Sequence, residues 1–427
     1  MVHPVLAAVG VAVVLVAGPA RADDAARIKD LEARVEQSLK AIEALRQEIS
    51  QLANSKSASN AGVAKSDVNA RVESVERTIN EMATNASRAG EGGLPLHGFA
   101  DVGWAHRSGV ATGGTSGYRL GTFDLYLTPQ LGAQVKSLIE LAFEVTPEGG
   151  VATDLERMQL GYLFSDELTV WIGRFHTPYG YWNTAYHHGA QIQTAITRPR
   201  FLAFEDLGGI LPAHSVGLWG TGYTNTSLGK LSYDVTVTNG NRIADGVLDF
   251  NASGDDNNRP GLGFRVGLSP SAVPGLTVGV HGMRQKVAGS NSAGTADGSA
   301  RMQFLGGFLH YESDRWEVLG EYYGFRNRDL GQAGGSTLSS RAGYVQAEYH
   351  MADRWTAFAR WEKSGLNAAD PYFSLQDSGR SYQSNSGGLR FELDPKSSLK
   401  LQFDRTREDS SGGASTTWLR TQFAIRF

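Results

Sequence analysis

From Leu96 to Phe427, apolar and polar positions alternate with a period of two, in runs of about ten residues separated by turn-forming segments. The last run is the clearest. Leu419, Thr421, Phe423, Ile425 and Phe427 share one face of Thr417 to Phe427, while Trp418, Arg420, Gln422, Ala424 and Arg426 share the other. Earlier runs repeat it: Phe123, Leu125 and Leu127 alternate with Asp124 and Tyr126, and Ile139, Leu141, Phe143 and Val145 with Glu140, Ala142 and Glu144. Val345, Ala347 and Tyr349 alternate with Tyr344, Gln346 and Glu348, and Leu399, Leu401 and Phe403 with Lys400, Gln402 and Asp404. A β-sandwich would bury one apolar face in a compact core. Charge recurring on the second face fits a barrel that is apolar outside and wet inside.

The connections give an independent test, because a transmembrane barrel has short turns on one rim and longer loops on the other. Short connections fall near Gly132, Ser165 to Asp166, Asn225 to Thr226, Ser269 to Pro274, Ser313, Ala352 to Asp353 and Asp394 to Lys396. Between them lie long ones at 107–117, 147–153, 175–213, 239–258, 287–299, 327–339, 364–381 and 407–415. Short and long alternate throughout. The spacing predicts an all-β, antiparallel transmembrane barrel of about 16 strands over 96–427, an even number as bacterial barrels have. Trp316, Trp355, Trp361, Tyr349 and Phe427, near strand ends, fit aromatic girdles at the membrane interfaces.

The period changes ahead of the barrel. Ile28, Val35, Ile42 and Ile49 form one heptad column and Leu31, Ser38, Leu45 and Leu52 the other, flanked by Glu32, Arg34, Arg46 and Glu48. A second seam runs through Val68, Val72, Val75, Ile79 and Met82. These predict a helical coiled coil over 23–84 and a glycine-rich linker over 85–95. β-Branched residues facing leucines favour two strands. Arg27-Ile28-Lys29-Asp30-Leu31-Glu32 and Arg71-Val72-Glu73-Ser74-Val75-Glu76 resemble a short pattern of trimeric coils. At the start, the apolar run Val5 to Ala17 and the Ala20-Arg21-Ala22 site predict a cleaved signal peptide over 1–22. The short turns and the coil then share the periplasmic side.

Composition removes several alternatives. The chain has no cysteine, hence no disulfide, thiolate metal site or cysteine nucleophile. A net charge of -4 gives no surface for a nucleic-acid partner. No run of 18 apolar residues follows Asp23, so a membrane could be crossed only by a closed barrel. His187-His188 has no accompanying spaced ligand set, and no metal or other cofactor is expected. His214-Ser215 and His281 supply isolated catalytic residue types without a G-x-S-x-G element, so no enzymatic activity is expected.

The stalk-then-barrel layout resembles the trimeric porins with an N-terminal coiled coil, the phosphate-selective group among them. Gly173-Arg174-Phe175-His176-Thr177-Pro178-Tyr179-Gly180 is similar to an element that follows a barrel strand in that group. The terminal Phe427 resembles the signal read by outer-membrane barrel assembly machinery. The chain departs from the phosphate-selective group in having few lysines in the barrel region. The resemblance implies that 175–213 is the third loop, folded into the lumen to narrow it. Its constriction candidates are Arg174, His176, Tyr179, Tyr181, His187, His188, Arg198, Arg200, Glu205 and Asp206. On the inward strand faces Arg157, Arg265, Arg360, Arg390, Arg420 and Arg426 interleave with Glu140, Glu144, Glu321, Glu348, Glu362 and Glu392.

Charged groups close to a permeating solute set selectivity, so these arginines and histidines point to anion preference. The same arginines could instead pair with carboxylates and hold the loop, and Tyr179, Tyr181, Trp182 and Tyr186 could stack on a sugar or aromatic solute. The expected function is passive diffusion of small hydrophilic solutes or anions through an outer-membrane homotrimer in contact with lipid. A barrel that tethers the coil to the cell wall is the alternative, and an outer-membrane hydrolase a third.

Overall fold

The structure, a computed structural model, describes residues 96–427 apart from 110–114, 130, 146–149, 166, 187–188, 206, 250–258, 332–334 and 410–413. The expected signal peptide, coiled coil and linker, and the candidates His187, His188 and Asp206, lie outside the described residues.

The strands of the first half are β1 (Leu96–Ser108), β2 (Thr115–Leu127), β3 (Val135–Val145), β4 (Val151–Ser165), β5 (Leu168–His176), β6 (His214–Thr226) and β7 (Gly229–Thr238). Two short ones, β8 (Ile243–Ala244) and β9 (Val247–Leu248), form a hairpin inside a loop. There follow β10 (Gly261–Pro270), β11 (Leu276–Ser290), β12 (Asp297–Glu312), β13 (Trp316–Asp329) and β14 (Thr337–Ala352). The last are β15 (Trp355–Gly365), β16 (Tyr382–Asp394), β17 (Ser397–Glu408) and β18 (Ser415–Arg426).

Leaving out β8 and β9, the remaining strands of the 18-stranded sheet pair antiparallel with their sequence neighbours, β7 with β10, and β18 returns to β1. The result is a closed antiparallel barrel of 16 strands. Closure leaves no unpaired edge, the condition for a sheet surrounded by hydrocarbon. The seam is locked at the chain end: Gly98 and Phe427 exchange backbone hydrogen bonds of 3.1 and 3.0 Å. Phe427 stacks on Phe123 with ring centroids 5.8 Å apart.

The two faces separate as the alternation requires. On β14, Val345 is 52% exposed while Tyr344, Gln346 and Glu348 are buried; on β17, Phe403 is 50% exposed while Gln402 and Asp404 are buried. Apolar side chains point away from the axis, the reverse of a water-soluble barrel. Short turns close one rim, as at 226–229, where the Thr226 hydroxyl donates to Gly229 O at 2.8 Å. Trp316 and Tyr349, and Trp355 and Phe391, pack ring against ring at a tilt near that rim with centroids 4.7 Å apart.

The inward face is less polar than the sequence implies. The inner sides of β11 to β14 carry Met283, Phe304, Tyr323, Phe325 and Tyr344, which pack with Tyr179, Trp182, Phe201, Leu202, Ile210 and Leu211 into one buried cluster. The latter six belong to the third long connection, 177–213, here called L3, which enters the barrel and provides it with an apolar core on one side only. L3 contains α1 (Trp182–Ala185) and a 3-10 turn at Arg200–Leu202. The seventh long connection, L7 (366–381), contains α2 (Pro371–Ser374), whose Tyr372 and Phe373 extend the same cluster.

Candidate functional site

L3 leaves β5 through Gly173 to Gly180, and two glycines make its docking possible. Gly180 has φ +60°, and a Cβ there would fall inside the Glu321 carboxylate. Its N–H donates to His281 Nδ1 and its carbonyl accepts from Arg265 Nε at 2.6 Å. His281 finds room because Gly306 faces it; a Cβ on Gly306 would meet the imidazole.

Glu321, buried on β13, is the next anchor. Its carboxylate accepts from Trp182 N at 2.6 Å, Tyr344 Oη at 2.8 Å and Tyr323 Oη at 2.6 Å. A buried carboxylate is tolerated only when its oxygens are occupied in this way. Tyr181 stacks on His310 at 4.2 Å, and Tyr186 donates to Glu317. Burial raises the phenol pKa of both, and the Glu317 charge raises them further. Tyr179 lies within the apolar cluster, its phenol raised by burial, and shows no ring face to water.

The middle of L3 is strapped to β15, β16 and β17 through its carbonyls. Arg360 donates to Thr197 O at 2.7 Å and to Arg198 O at 3.2 Å; Arg390 donates to Gln193 O at 2.8 Å and to Gln191 O. Lys400 donates to Ala190 O, and Ile196 N donates to Gln402 Oε1 at 2.6 Å. Glu362 accepts from Arg200 N at 2.7 Å and Tyr382 Oη at 2.8 Å. Arg198 is turned into L3 itself, donating to Leu202 O at 2.6 Å and to Asn183 Oδ1 at 2.7 Å, with its guanidinium 4.4 Å from the Phe204 ring centroid. Burial lowers its pKa from the arginine range, against the pull of the nearby Tyr179 and Glu205.

The end of L3 returns to the wall at a charged cluster. His214 lies between Glu156 at 2.6 Å and Glu205 at 3.3 Å. Glu140 pairs with Arg157 and stands 3.4 Å from His176, and Arg174 is 4.0 Å from Glu156. Arg265 also bonds Asp234 at 3.2 Å. Glu348, on the inner face of β14, accepts from Gln346 at 2.7 Å.

L3 therefore lines the inner wall from β10 to Lys400 and Gln402 of β17, and its Gly189 lies against Phe99 of β1. Nearer the long-loop rim, on the arc of β17, β18, β1 and β2 that L3 leaves uncovered, a different group appears. Trp418 carries Arg420, Arg107 and Arg119, with guanidinium carbons 4.3, 5.5 and 5.6 Å from its ring centroid. Asp404 pairs with Arg420. Neither Arg107 nor Arg119 has a carboxylate within ion-pair distance among the described residues; Arg119 is exposed, and the buried Nε of Arg107 has no hydrogen-bond partner. At the end of β17, Arg200 of L3, about one third exposed, pairs with Glu408 at 2.6 Å and lies 4.8 Å from the Tyr382 ring centroid.

Of the expected constriction residues, the structure brings Arg174, His176 and Glu205 together with His214 at the foot of L3, and places Tyr179, Tyr181 and Arg198 in its packing. Arg200 and Arg420 stand beside the open arc, whereas Arg360 and Arg390 hold the loop. Arg107, Arg119 and Trp418 were not singled out by the sequence. The signal was present in the parity: Trp418 shares the inward face with Arg420, and Arg119 pairs across Gly103, whose other partner is the inward Gln422.

No protein-family model matches the chain, and no curated protein matches it. Solved structures do. The anion-selective porin from Comamonas acidovorans superposes with a TM-score of 0.55 at 14% identity, covering 78% of this chain and 99% of that chain. The fold is that of a porin. The outer membrane channel DcaP of Acinetobacter baumannii gives 0.55 at 11% identity, covering 78% of this chain and 97% of that one. The trimer form of OmpT from Vibrio cholerae gives 0.53 at 10% identity, covering 78% and 99%. At these identities the likeness is one of architecture, and this porin-like chain's chemistry rests on its own residues.

Proposed function

We propose that the protein is an outer-membrane porin, a passive channel for small hydrophilic solutes with a preference for anions. The observation that carries the preference is the arginine group on the uncovered arc. Three guanidiniums converge on one indole where Asp404 pairs with Arg420, while Asp101 and Asp124 stand further toward the short-turn rim, so positive charge is concentrated locally at the Trp418 ring. The arginines of β15 and β16, by contrast, spend their donors on L3 carbonyls and set the width of that space. The short-turn rim is taken as periplasmic and the long-loop rim as extracellular, as in bacterial barrels generally.

A channel is favoured over a hydrolase by the partners of the two residues that could serve one. His214 is held between Glu156 and Glu205, and the Ser215 hydroxyl is bonded to Thr177 Oγ1 at 2.8 Å instead of an imidazole. The assembly is taken as a homotrimer through the outer faces of β1 and β2, where Tyr118 is 92% exposed and Leu120 protrudes beside it.

Reversal potentials across a salt gradient test the assignment. Replacing Arg107 and Arg119 with glutamine leaves the Arg420–Asp404 pair intact and is expected to lower the anion-to-cation permeability ratio roughly threefold at low salt, less at high salt. An unchanged ratio places the arginine group outside the conducting path.

A further inference from the structure

We infer that the outer wall of β10 to β13 is a binding site for a phosphate-bearing lipid of the leaflet at the long-loop rim. Its lower part is a groove of about 370 Å³ on the outside of the barrel. Gly282 and Gly324 leave the wall without side chains there, and Leu262, Phe264 and Leu305 border the gap with exposed apolar surface. Arg284 and Arg326 form its upper lip. Both are exposed, and both share outward parity with Val280 and Tyr322, while their neighbours Gln285 and Phe325 are buried inward.

One step nearer the rim, Lys286, Arg301 and Arg328 stand directly opposite one another across β11, β12 and β13. Like charges in register across a sheet repel. None of these five cations has an ion-pair or hydrogen-bond partner for its side chain among the described residues. The arrangement is resolved by an anion that lies over the row. An apolar slot below and two tiers of unpaired cations above match an acyl chain and a phosphorylated headgroup of one molecule. The occupant is an outer-leaflet glycolipid bearing phosphate, of the lipid A type; a free phosphate would have no use for the groove.

The inference rests on the outer-membrane reading but not on the pore, and the two fail separately. Native mass spectrometry of the detergent-solubilised full chain, titrated with diphosphoryl lipid A and with its dephosphorylated form, is the test. The phosphorylated form is expected to bind at least about tenfold more tightly. Arg284→Gln with Arg326→Gln should remove that preference. Gly324→Leu should weaken both forms: an added Cβ there meets nothing closer than 3.5 Å, so the groove fills without disturbing the wall. Arg405→Gln with Arg407→Gln, outward-facing cations on β17, should leave binding unchanged. Equal affinity for both lipids, no effect of the Arg284 and Arg326 pair, or an equal loss from the Arg405 and Arg407 pair overturns the site. Conductance of the same preparation reports on the channel: protein that conducts yet ignores the phosphate refutes only the lipid site.

Discussion

A single backbone position decides how L3 enters the barrel. Gly180 is left-handed, donates to His281, accepts from Arg265 and lies against Glu321, so no side chain can be added there without moving the loop. Gly180→Ala is expected to cost about 1 kcal/mol for the dihedral alone, with steric displacement of Glu321 in addition. L3 should then detach from β11 and β13, read as a larger and noisier single-channel conductance. An unchanged conductance step would show that L3 is held without this turn. Why Glu321 can sit buried is a matter of three donors aimed at it from Trp182, Tyr323 and Tyr344.

At the scale of elements, strands and turns were legible because a period of two and alternating connection lengths are written locally. The expected short connections near Gly132 and at Asp394 to Lys396 fall between β2 and β3 and between β16 and β17, the one expected at Asn225 to Thr226 falls two residues later, after β6 ends at Thr226, and the longest expected connection is L3. What each arginine does was not legible. Arg360 and Arg420 are both inward-facing, yet one holds carbonyls of L3 and the other borders the open arc, a distinction created by a loop distant in sequence. Arg107 was hidden for another reason. β1 continues to Ser108, so a residue assigned to a loop sits on the inner wall.

L7 offers a pH test at the same scale. Asp370 caps α2 by accepting from Tyr372 N at 3.0 Å and takes a second bond from Asn327 at 2.9 Å. Burial nonetheless pushes its pKa up to about 6. The folded value lies above the unfolded one, so docking of L7 is strongest below about pH 4, weakens as pH rises through about 6, and stays weaker above. Amide hydrogen exchange at 370–376, corrected for its intrinsic pH dependence, should show more protection at pH 4.5 than at pH 7.5. Asp370→Asn should abolish the difference; a difference that survives would assign it to another group.

For the whole molecule, closure is the step on which everything else depends. The seam between β1 and β18 runs from Phe99 opposite Arg426 to Ser108 opposite Thr417, and Phe427 adds two backbone bonds and a ring contact at its end. Deleting Phe427 removes all three. The expected result is a smaller fraction of barrel that migrates as folded on unheated gels, with the remainder at the mobility of the unfolded chain; a full yield of folded barrel would show that the terminal residue is dispensable.

Conduction requires that this cylinder enclose a water-filled path beside L3. Single-channel recording of the purified full chain in a planar bilayer tests it directly. Discrete, ohmic current steps that carry more anion than cation are expected. A protein that inserts as a folded barrel and yields no steps, or steps that favour cations, would contradict it.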